Sequence, residues 1–245
     1  MAQDLSTSTI SFESDGESVA GYLARPSSGG PHPGLIMIQE WWGVDGHIKD
    51  LTDKFAREGY AALAVDMYSF AGNRVTLDAD EAAKLTESLR YDTAMRYLNG
   101  GVDYLASAEF ARGDRIGVVG FCMGGGYSLL MSCLNREIKA AVAFYGQIVN
   151  DQPTENNPVN PIDLVPQMSC PLLFVHAGLD EWITLDHADR LRDAMKKSNK
   201  EGEVKSYPNA PHAFFNDTKP DNYRREEAQD AWRRTLAFFR RHLGG

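Results

Sequence analysis

The sequence is short of positive charge and of long apolar segments. Its 245 residues include 25 Lys and Arg against 34 Asp and Glu, a formal net charge of −9. Such acidity disfavours binding to nucleic acid and to anionic membrane surfaces. No apolar run approaches the ~20 residues of a transmembrane helix, and the first residues lack the basic and apolar regions of a signal peptide. We therefore expect no nucleic-acid or membrane partner.

Cysteine is scarce as well. The three cysteines, Cys122, Cys133 and Cys170, cannot all pair within one chain, and their wide spacing does not match a zinc site. Reduced thiols are typical of cytoplasmic proteins, so we expect a cytoplasmic protein that uses neither a metal nor another cofactor. No linker divides the chain, so a single α/β domain over residues 1–245 is expected.

Apolar segments suited to buried strands alternate with helical patterns along the chain. A hairpin is predicted first, from strands over 8–13 and 18–24 that flank a turn at Asp15-Gly16. The later strand segments are 34–39, 60–65, 116–119, 138–144, 172–176 and 203–207. This alternation predicts a mostly parallel, doubly wound sheet of about eight strands with helices on both faces. Two segments are less regular: Asn99-Gly100-Gly101 could interrupt a helix over 92–108, and 147–168 is expected to be a long loop.

The most informative stretch is 115–126, where an apolar run ends in Gly120-Phe121-Cys122-Met123-Gly124 and a helical pattern follows. This predicts a strand, a sharp turn and a helix, with Cys122 at the apex. A nucleophile elbow strains its central residue, so the neighbours two before and two after must lack side chains. Gly120 and Gly124 stand at those positions. The helix N-terminus would favour a thiolate at Cys122.

Other glycine-rich turns fit this stretch less well. A Walker A loop needs Lys and Ser or Thr after its last glycine, whereas Gly126 is followed by Tyr127. A dinucleotide-binding turn needs glycine where Cys122 stands. On this motif alone, a buried cysteine without a chemical role remains an alternative.

Reactive and polar positions follow several of the predicted strands. They are Glu40, Asp66, Cys122, Tyr145, Asp180 and His212. Ligands bind beyond the carboxyl ends of parallel strands, so these positions are expected to share one rim. Cys122, Asp180 and His212 follow the order nucleophile, acid and base that hydrolase elbows use. Asp180 could instead cap a helix that begins near Thr184.

Several short motifs resemble those of the dienelactone hydrolase (carboxymethylenebutenolidase) family within the α/β-hydrolase superfamily. They cover nearly the whole chain and comprise Gln39-Glu40-Trp41-Trp42-Gly43, Asp66-Met67-Tyr68, Gly120-Phe121-Cys122-Met123-Gly124-Gly125, Phe144-Tyr145-Gly146, Gly178-Leu179-Asp180 and Pro211-His212-Ala213-Phe214. The resemblance implies an α/β-hydrolase fold and a Cys122–His212–Asp180 triad that cleaves carboxylic esters or lactones through a cysteinyl thioester. It also implies that Glu40 takes the thiol proton, although a strand-end carboxylate could merely pair with a cation.

The remaining site residues are expected around this triad. The N–H groups of Trp41 and Met123 are expected to form the oxyanion hole, because one follows the strand that supplies half of it and the other follows the nucleophile. Trp42 is expected to line the acyl pocket, and the resemblance implies site roles for Tyr145 and Phe214. Asn216 is also expected to contact the substrate. The two tryptophans could equally be core aromatics.

The chain departs from the family pattern at Asn216. Relatives that hydrolyse dienelactone are expected to hold its carboxylate with arginines, one of them four residues after the catalytic histidine, where this chain has Asn216. An amide has no charge and lacks the fork of arginine. A preference for neutral or aryl esters over dienelactone is therefore expected, with activated phosphotriesters as an extension. Lys84 and Arg90 lie near the second arginine position, but neither can be matched to it.

Three other functions stay open at this point. They are a dedicated dienelactone hydrolase, a thiol-dependent acyltransferase and a ligand-binding protein without turnover. A complete triad argues against the last, because a receptor has no need of all three groups.

Overall fold

The chain begins with an antiparallel hairpin in the computed structural model, which describes residues 4–244. Strands β1 (Leu5–Ser14) and β2 (Glu17–Pro26) pair along their whole length. Asp15 and Gly16 between them have φ of 49° and 83°. Two consecutive positive φ angles are what a tight hairpin turn requires, so the predicted hairpin is confirmed.

Six further strands complete one sheet. They are β3 (His32–Ile38), β4 (Ala61–Val65), β5 (Ala111–Phe121), β6 (Ile138–Phe144), β7 (Leu172–Ala177) and β8 (Gly202–Tyr207). The strand order is β1-β2-β4-β3-β5-β6-β7-β8, and β3 to β8 run parallel. The central strands are buried on both faces, as continuous apolar runs require. The predicted eight-stranded, mostly parallel α/β sheet is confirmed.

Helices cover both faces of this sheet. They are α1 (Gly46–Arg57), α2 (Ala79–Ser88), α3 (Tyr91–Ser107), α4 (Met123–Leu134), the one-turn α5 (Pro161–Leu164), α6 (Leu185–Lys197) and α7 (Arg225–Leu243). One apolar core joins the sheet to α1 and α7, and another joins it to α3, α4 and α6. Within 4–244, no helix is long and apolar enough to cross a membrane.

Two local expectations are corrected by the structure. Helix α3 continues through Gly100 and Gly101, where added Cβ atoms would lie 2.7 Å from the Cβ of Ser14 and 2.6 Å from a methyl of Val65. These glycines let the helix lie close to the sheet rather than interrupt it. The expected loop over 147–168 contains α5 and a 3₁₀ turn at Val165–Gln167.

Candidate active site

The turn between β5 and α4 has the geometry expected of a nucleophile elbow. Cys122 stands between the two elements with φ 54° and ψ −116°, a conformation that a residue with a side chain rarely adopts. A Cβ on Gly120 would overlap the carbonyl of Gly124, and a Cβ on Gly124 would overlap the carbonyl of Ile38. The two flanking glycines therefore make room for the strained turn that presents the half-buried Cys122.

His212 and Asp180 lie together beyond the ends of β8 and β7. Nδ1 of His212 is 2.6 Å from Oδ2 of Asp180, whose side chain is fully buried. The other carboxylate oxygen accepts hydrogen bonds from the backbone N–H groups of Trp182 and Ile183, both at 3.0 Å. Thr184, rather than Asp180, caps α6. The carboxylate is thus fixed by its own loop and orients the imidazole.

The charge around His212 favours its protonated form. Burial by itself lowers the pKa of His212, but the hydrogen bond with Asp180 and the proximity of Cys122 outweigh burial and raise this pKa above its ordinary value. Nε2 of His212 is buried and has no hydrogen-bond partner of ordinary geometry within 4–244. This nitrogen is therefore available to exchange a proton with a bound molecule.

Glu40, directly after β3, is a buried carboxyl group with one oxygen occupied. Oε2 accepts a hydrogen bond of 2.8 Å from Nδ2 of Asn216, whereas no partner for the buried Oε1 exists in the described part of the chain. Burial raises the pKa of Glu40 to about 7, and the Asn216 hydrogen bond opposes that rise. Glu40 can therefore gain and lose a proton near neutral pH.

Asn216 and Phe214 do not take the positions expected of substrate-binding residues. Asn216 is buried, and its carbonyl oxygen accepts hydrogen bonds from the backbone and hydroxyl of Thr218. Phe214 is fully buried behind Tyr145, with their ring centroids 5.7 Å apart. Neither residue lines the pocket at Cys122. Asn216 instead donates a hydrogen bond to Glu40 and so holds that side chain in place.

A pocket of about 640 Å³ opens over Cys122 and His212. Trp41, Trp42 and Tyr145 form part of its wall, so they are pocket residues rather than pure core aromatics. The hydroxyl of Tyr145 is buried without a partner among residues 4–244, close enough to Glu40, Cys122 and Asp180 for each of them to raise the pKa of Tyr145 further, after burial. The pocket volume suits a small organic molecule.

Two backbone N–H groups of pocket-lining residues, those of Trp41 and Met123, have no acceptor within the described part of the protein. Met123 begins α4, where the first N–H groups are free. The hydroxyl of Tyr68 lies 3.0 Å from the carbonyl of Trp41 and holds that loop. The sequence showed this tyrosine only as part of a family motif and gave it no role.

Lys219 is a charged pocket residue that the sequence did not identify. It lines the pocket, and its Nζ lies 4.3 Å from the centroid of the Trp42 ring. Arg90, one of the two cations considered from the sequence, pairs with Asp92 on the surface instead, and Lys84 does not line the pocket. The premise that the pocket has no cation is therefore wrong. In the part of the chain that the structure describes, no group of three or more His, Cys, Asp or Glu could hold a metal.

The sheet order, the elbow after β5 and the histidine–aspartate pair at the same edge define an α/β-hydrolase. Residues 19–243 match the model of the dienelactone hydrolase family. The chain belongs to that family, and it is a lactone or ester hydrolase.

Relatives and solved structures agree with this assignment. The chain is 34% identical over 226 residues to the "Putative carboxymethylenebutenolidase" of Methylorubrum extorquens, covering 91% of this chain and 77% of that protein. It superposes on the "Putative Dienelactone Hydrolase" of Klebsiella pneumoniae with a TM-score of 0.92 at 32% identity, covering 98% and 100% of the two chains. A dienelactone hydrolase-like promiscuous phosphotriesterase from metagenomic libraries shares the fold, with a TM-score of 0.85 at 19% identity and 98% and 99% coverage.

Proposed function

We propose that this chain hydrolyses carboxylic esters or lactones through a thioester on Cys122. The observation that carries the proposal is the His212–Asp180 hydrogen bond of 2.6 Å beside an elbow cysteine in one pocket. Asp180 orients the imidazole, and the N–H groups of Trp41 and Met123 hold the oxyanion. Glu40, with one free carboxylate oxygen, takes the thiol proton.

The protons balance over one turnover. Glu40 accepts the thiol proton, the sulfur forms a bond to the carbonyl carbon, and the carbonyl electron pair moves onto oxygen. As the carbonyl re-forms, the bond to the leaving oxygen breaks, and that oxygen takes the proton from Nε2 of protonated His212. Water then attacks the thioester while His212 removes its proton. The carbon–sulfur bond breaks, and Cys122 recovers its proton from Glu40.

The substrate class follows in part from Lys219. The expected preference for neutral esters depended on a pocket without a cation, and Lys219 at the pocket rim removes that premise. An anionic group on the substrate is tolerated only where a cation can pair with it. We therefore include anionic lactones and esters among the substrates. Turnover of activated phosphotriesters remains a prediction, since the same thiolate and oxyanion hole could engage a phosphoryl centre.

Substitution of each cysteine in turn tests the mechanism. Cys122→Ala is expected to lower kcat by ~10⁴ or more, because no other group can form the acyl intermediate. Cys133→Ala and Cys170→Ala are matched controls, since both side chains are buried away from the pocket. Intact-protein mass spectrometry during turnover of a slow ester should show one added acyl group on wild type only. Substantial hydrolysis by Cys122→Ala would refute the thioester.

An acyltransferase remains the nearest rival, because it would form the same thioester. Added alcohol or thiol acceptors separate the two activities. A hydrolase gives mainly free acid at moderate acceptor concentrations, whereas predominant transfer to the acceptor would identify an acyltransferase.

A further inference from the structure

Part of the pocket has no role in the chemistry described above. Its wall is mostly apolar and comes from the end of α2, one face of α4 and the segment leading into α5, although Thr86, Gln147 and Asn157 of these segments also line the pocket. We call this part the apolar arm; it is lined by Leu89, Met123, Tyr127, Leu130, Val149 and Pro161. Within this set, Leu89, Leu130 and Val149 are buried and belong to the main apolar core. A wall packed into the core holds a fixed shape.

The arm leads away from the nucleophile along α4. Met123, Tyr127 and Leu130 follow each other at the spacing of one helix face. At a rise of ~1.5 Å per residue, the distance along the helix from Cys122 to Leu130 is about 12 Å. Gly126 lines the arm between them and contributes no side chain. The arm thus runs along about this length of α4, and Leu130 is the furthest residue of the helix that lines it.

The mechanism decides which half of the substrate points this way. The leaving oxygen must face Nε2 of His212, because it takes a proton there. The ring of His212 packs edge-on against exposed Trp182 at 5.0 Å, and Trp182, His212 and Ala213 form the side of the pocket opposite the apolar arm's α4 wall. The carbonyl oxygen faces the N–H of Met123. The remaining substituent on the carbonyl carbon is the acyl group, and α4 is the side left for it.

Charged side chains are also distributed unevenly over the pocket wall. Among the described pocket-lining residues, the acidic and basic side chains are Glu40, His212 and Lys219. None of them belongs to the apolar arm. Tyr127 adds a phenol whose pKa burial raises, so it stays neutral. A charged acyl terminus would have no partner in the arm and would be strongly disfavoured.

We propose that the acyl group of the substrate is an extended apolar group, alkyl or aryl, that lies in the apolar arm, and that Leu130 sets its maximum length. The proposal rests on the thioester mechanism above. Each methylene buried in the arm should raise kcat/KM about fourfold until the chain reaches Leu130.

The test is a series of p-nitrophenyl esters: acetate, butyrate, hexanoate and octanoate. Wild type should prefer hexanoate over acetate by well over tenfold, at about fourfold per methylene. Leu130→Trp should lower the hexanoate-to-acetate ratio of kcat/KM by about tenfold or more. Leu134→Trp is the matched control, because Leu134 lies one turn further along α4 and is 40% exposed, outside the arm. Leu130→Ala should extend the preference to octanoate, and it keeps the test decisive if the tryptophan variant fails to fold.

Three outcomes would overturn the proposal. One is a flat chain-length profile in wild type, and another is a profile that neither Leu130 variant changes. The third is a preference for the p-nitrophenyl ester of glutaric acid, whose acyl chain ends in a carboxylate. Each would leave the mechanism intact as long as turnover requires Cys122, whereas turnover by Cys122→Ala would refute the thioester itself.

Discussion

Replacing Glu40 by glutamine should remove a loss of stability that the wild-type protein suffers as pH rises towards 7. Burial raises the pKa of Glu40 in the folded state from 4.5 to about 7. Between these values the folded state binds the proton more tightly than the unfolded state does. The free energy of unfolding therefore falls as pH rises from about 4.5 to about 7, and the loss is complete above that window.

The size of this effect follows from the difference between the two pKa values. That difference is about 2.5, and at ~1.4 kcal/mol per pKa unit the ionised carboxylate destabilises the fold by about 3 kcal/mol above pH 7. Glutamine removes this pH-dependent loss. It also places an amide where Oε1 of Glu40 has no partner in the described chain, which costs ~1–3 kcal/mol at every pH. The effect of the carboxylate charge is therefore seen in how the stability difference between the two proteins changes with pH, not in its value at one pH.

Urea denaturation of wild type and Glu40→Gln at pH 5 and pH 8 measures the effect. The free energy of unfolding of the variant, relative to wild type, should be higher at pH 8 than at pH 5 by most of that ~3 kcal/mol. Other raised pKa values, such as that of Asp66 at about 6, are common to both proteins and cancel. Glu87→Gln, on an exposed carboxylate, should show no such difference. An equal gap between Glu40→Gln and wild type at both pH values would refute the assignment of a buried, destabilised charge to Glu40.

Two further predictions concern the pocket rim and the support of Asp180. Lys219→Met should lower kcat/KM about tenfold for an ester with an anionic leaving group, relative to its neutral analogue, because the cation at the rim is lost; an unchanged ratio would contradict a role in recognition. His176 is buried, with Nε2 2.7 Å from the carbonyl of Ile183, whose N–H binds Asp180. His176→Phe should lower stability by about 1–3 kcal/mol and reduce kcat/KM, with partial rescue in His176→Gln, which restores a donor. Equal losses in both variants would point to packing alone.

The sheet could be predicted from the sequence because each central strand is a continuous apolar run between helical patterns. The elbow could be predicted because Gly120 and Gly124 are fixed by local geometry around Cys122. The continuation of α3 through Gly100 and Gly101 could not be predicted. Those glycines make room for Ser14 and Val65, which are distant in the sequence.

The residues around the catalytic groups, such as Asn216 and Lys219, were harder to predict for the same reason. Asn216 was expected at the substrate because its position was known only relative to His212. Its hydrogen bond to Glu40 joins residues 176 positions apart, and no local pattern signals it. Lys219 lies three residues further along the same loop, and only the folded loop shows that its side chain reaches Trp42. The order of nucleophile, acid and histidine is visible in the sequence, whereas the charges around them depend on contacts between distant segments.

The partner of Glu40 connects the stability of the protein with its chemistry. An arginine at position 216 would pair with Glu40, hold it ionised and lower its pKa. The neutral Asn216 gives one hydrogen bond, so burial dominates and Glu40 gains and loses its proton near neutral pH. The ionised carboxylate that must accept the thiol proton is therefore the form that destabilises the fold. Wild-type activity should rise with a midpoint near pH 7, the pKa of Glu40 in the folded state, where the fall in stability that begins near pH 4.5 levels off.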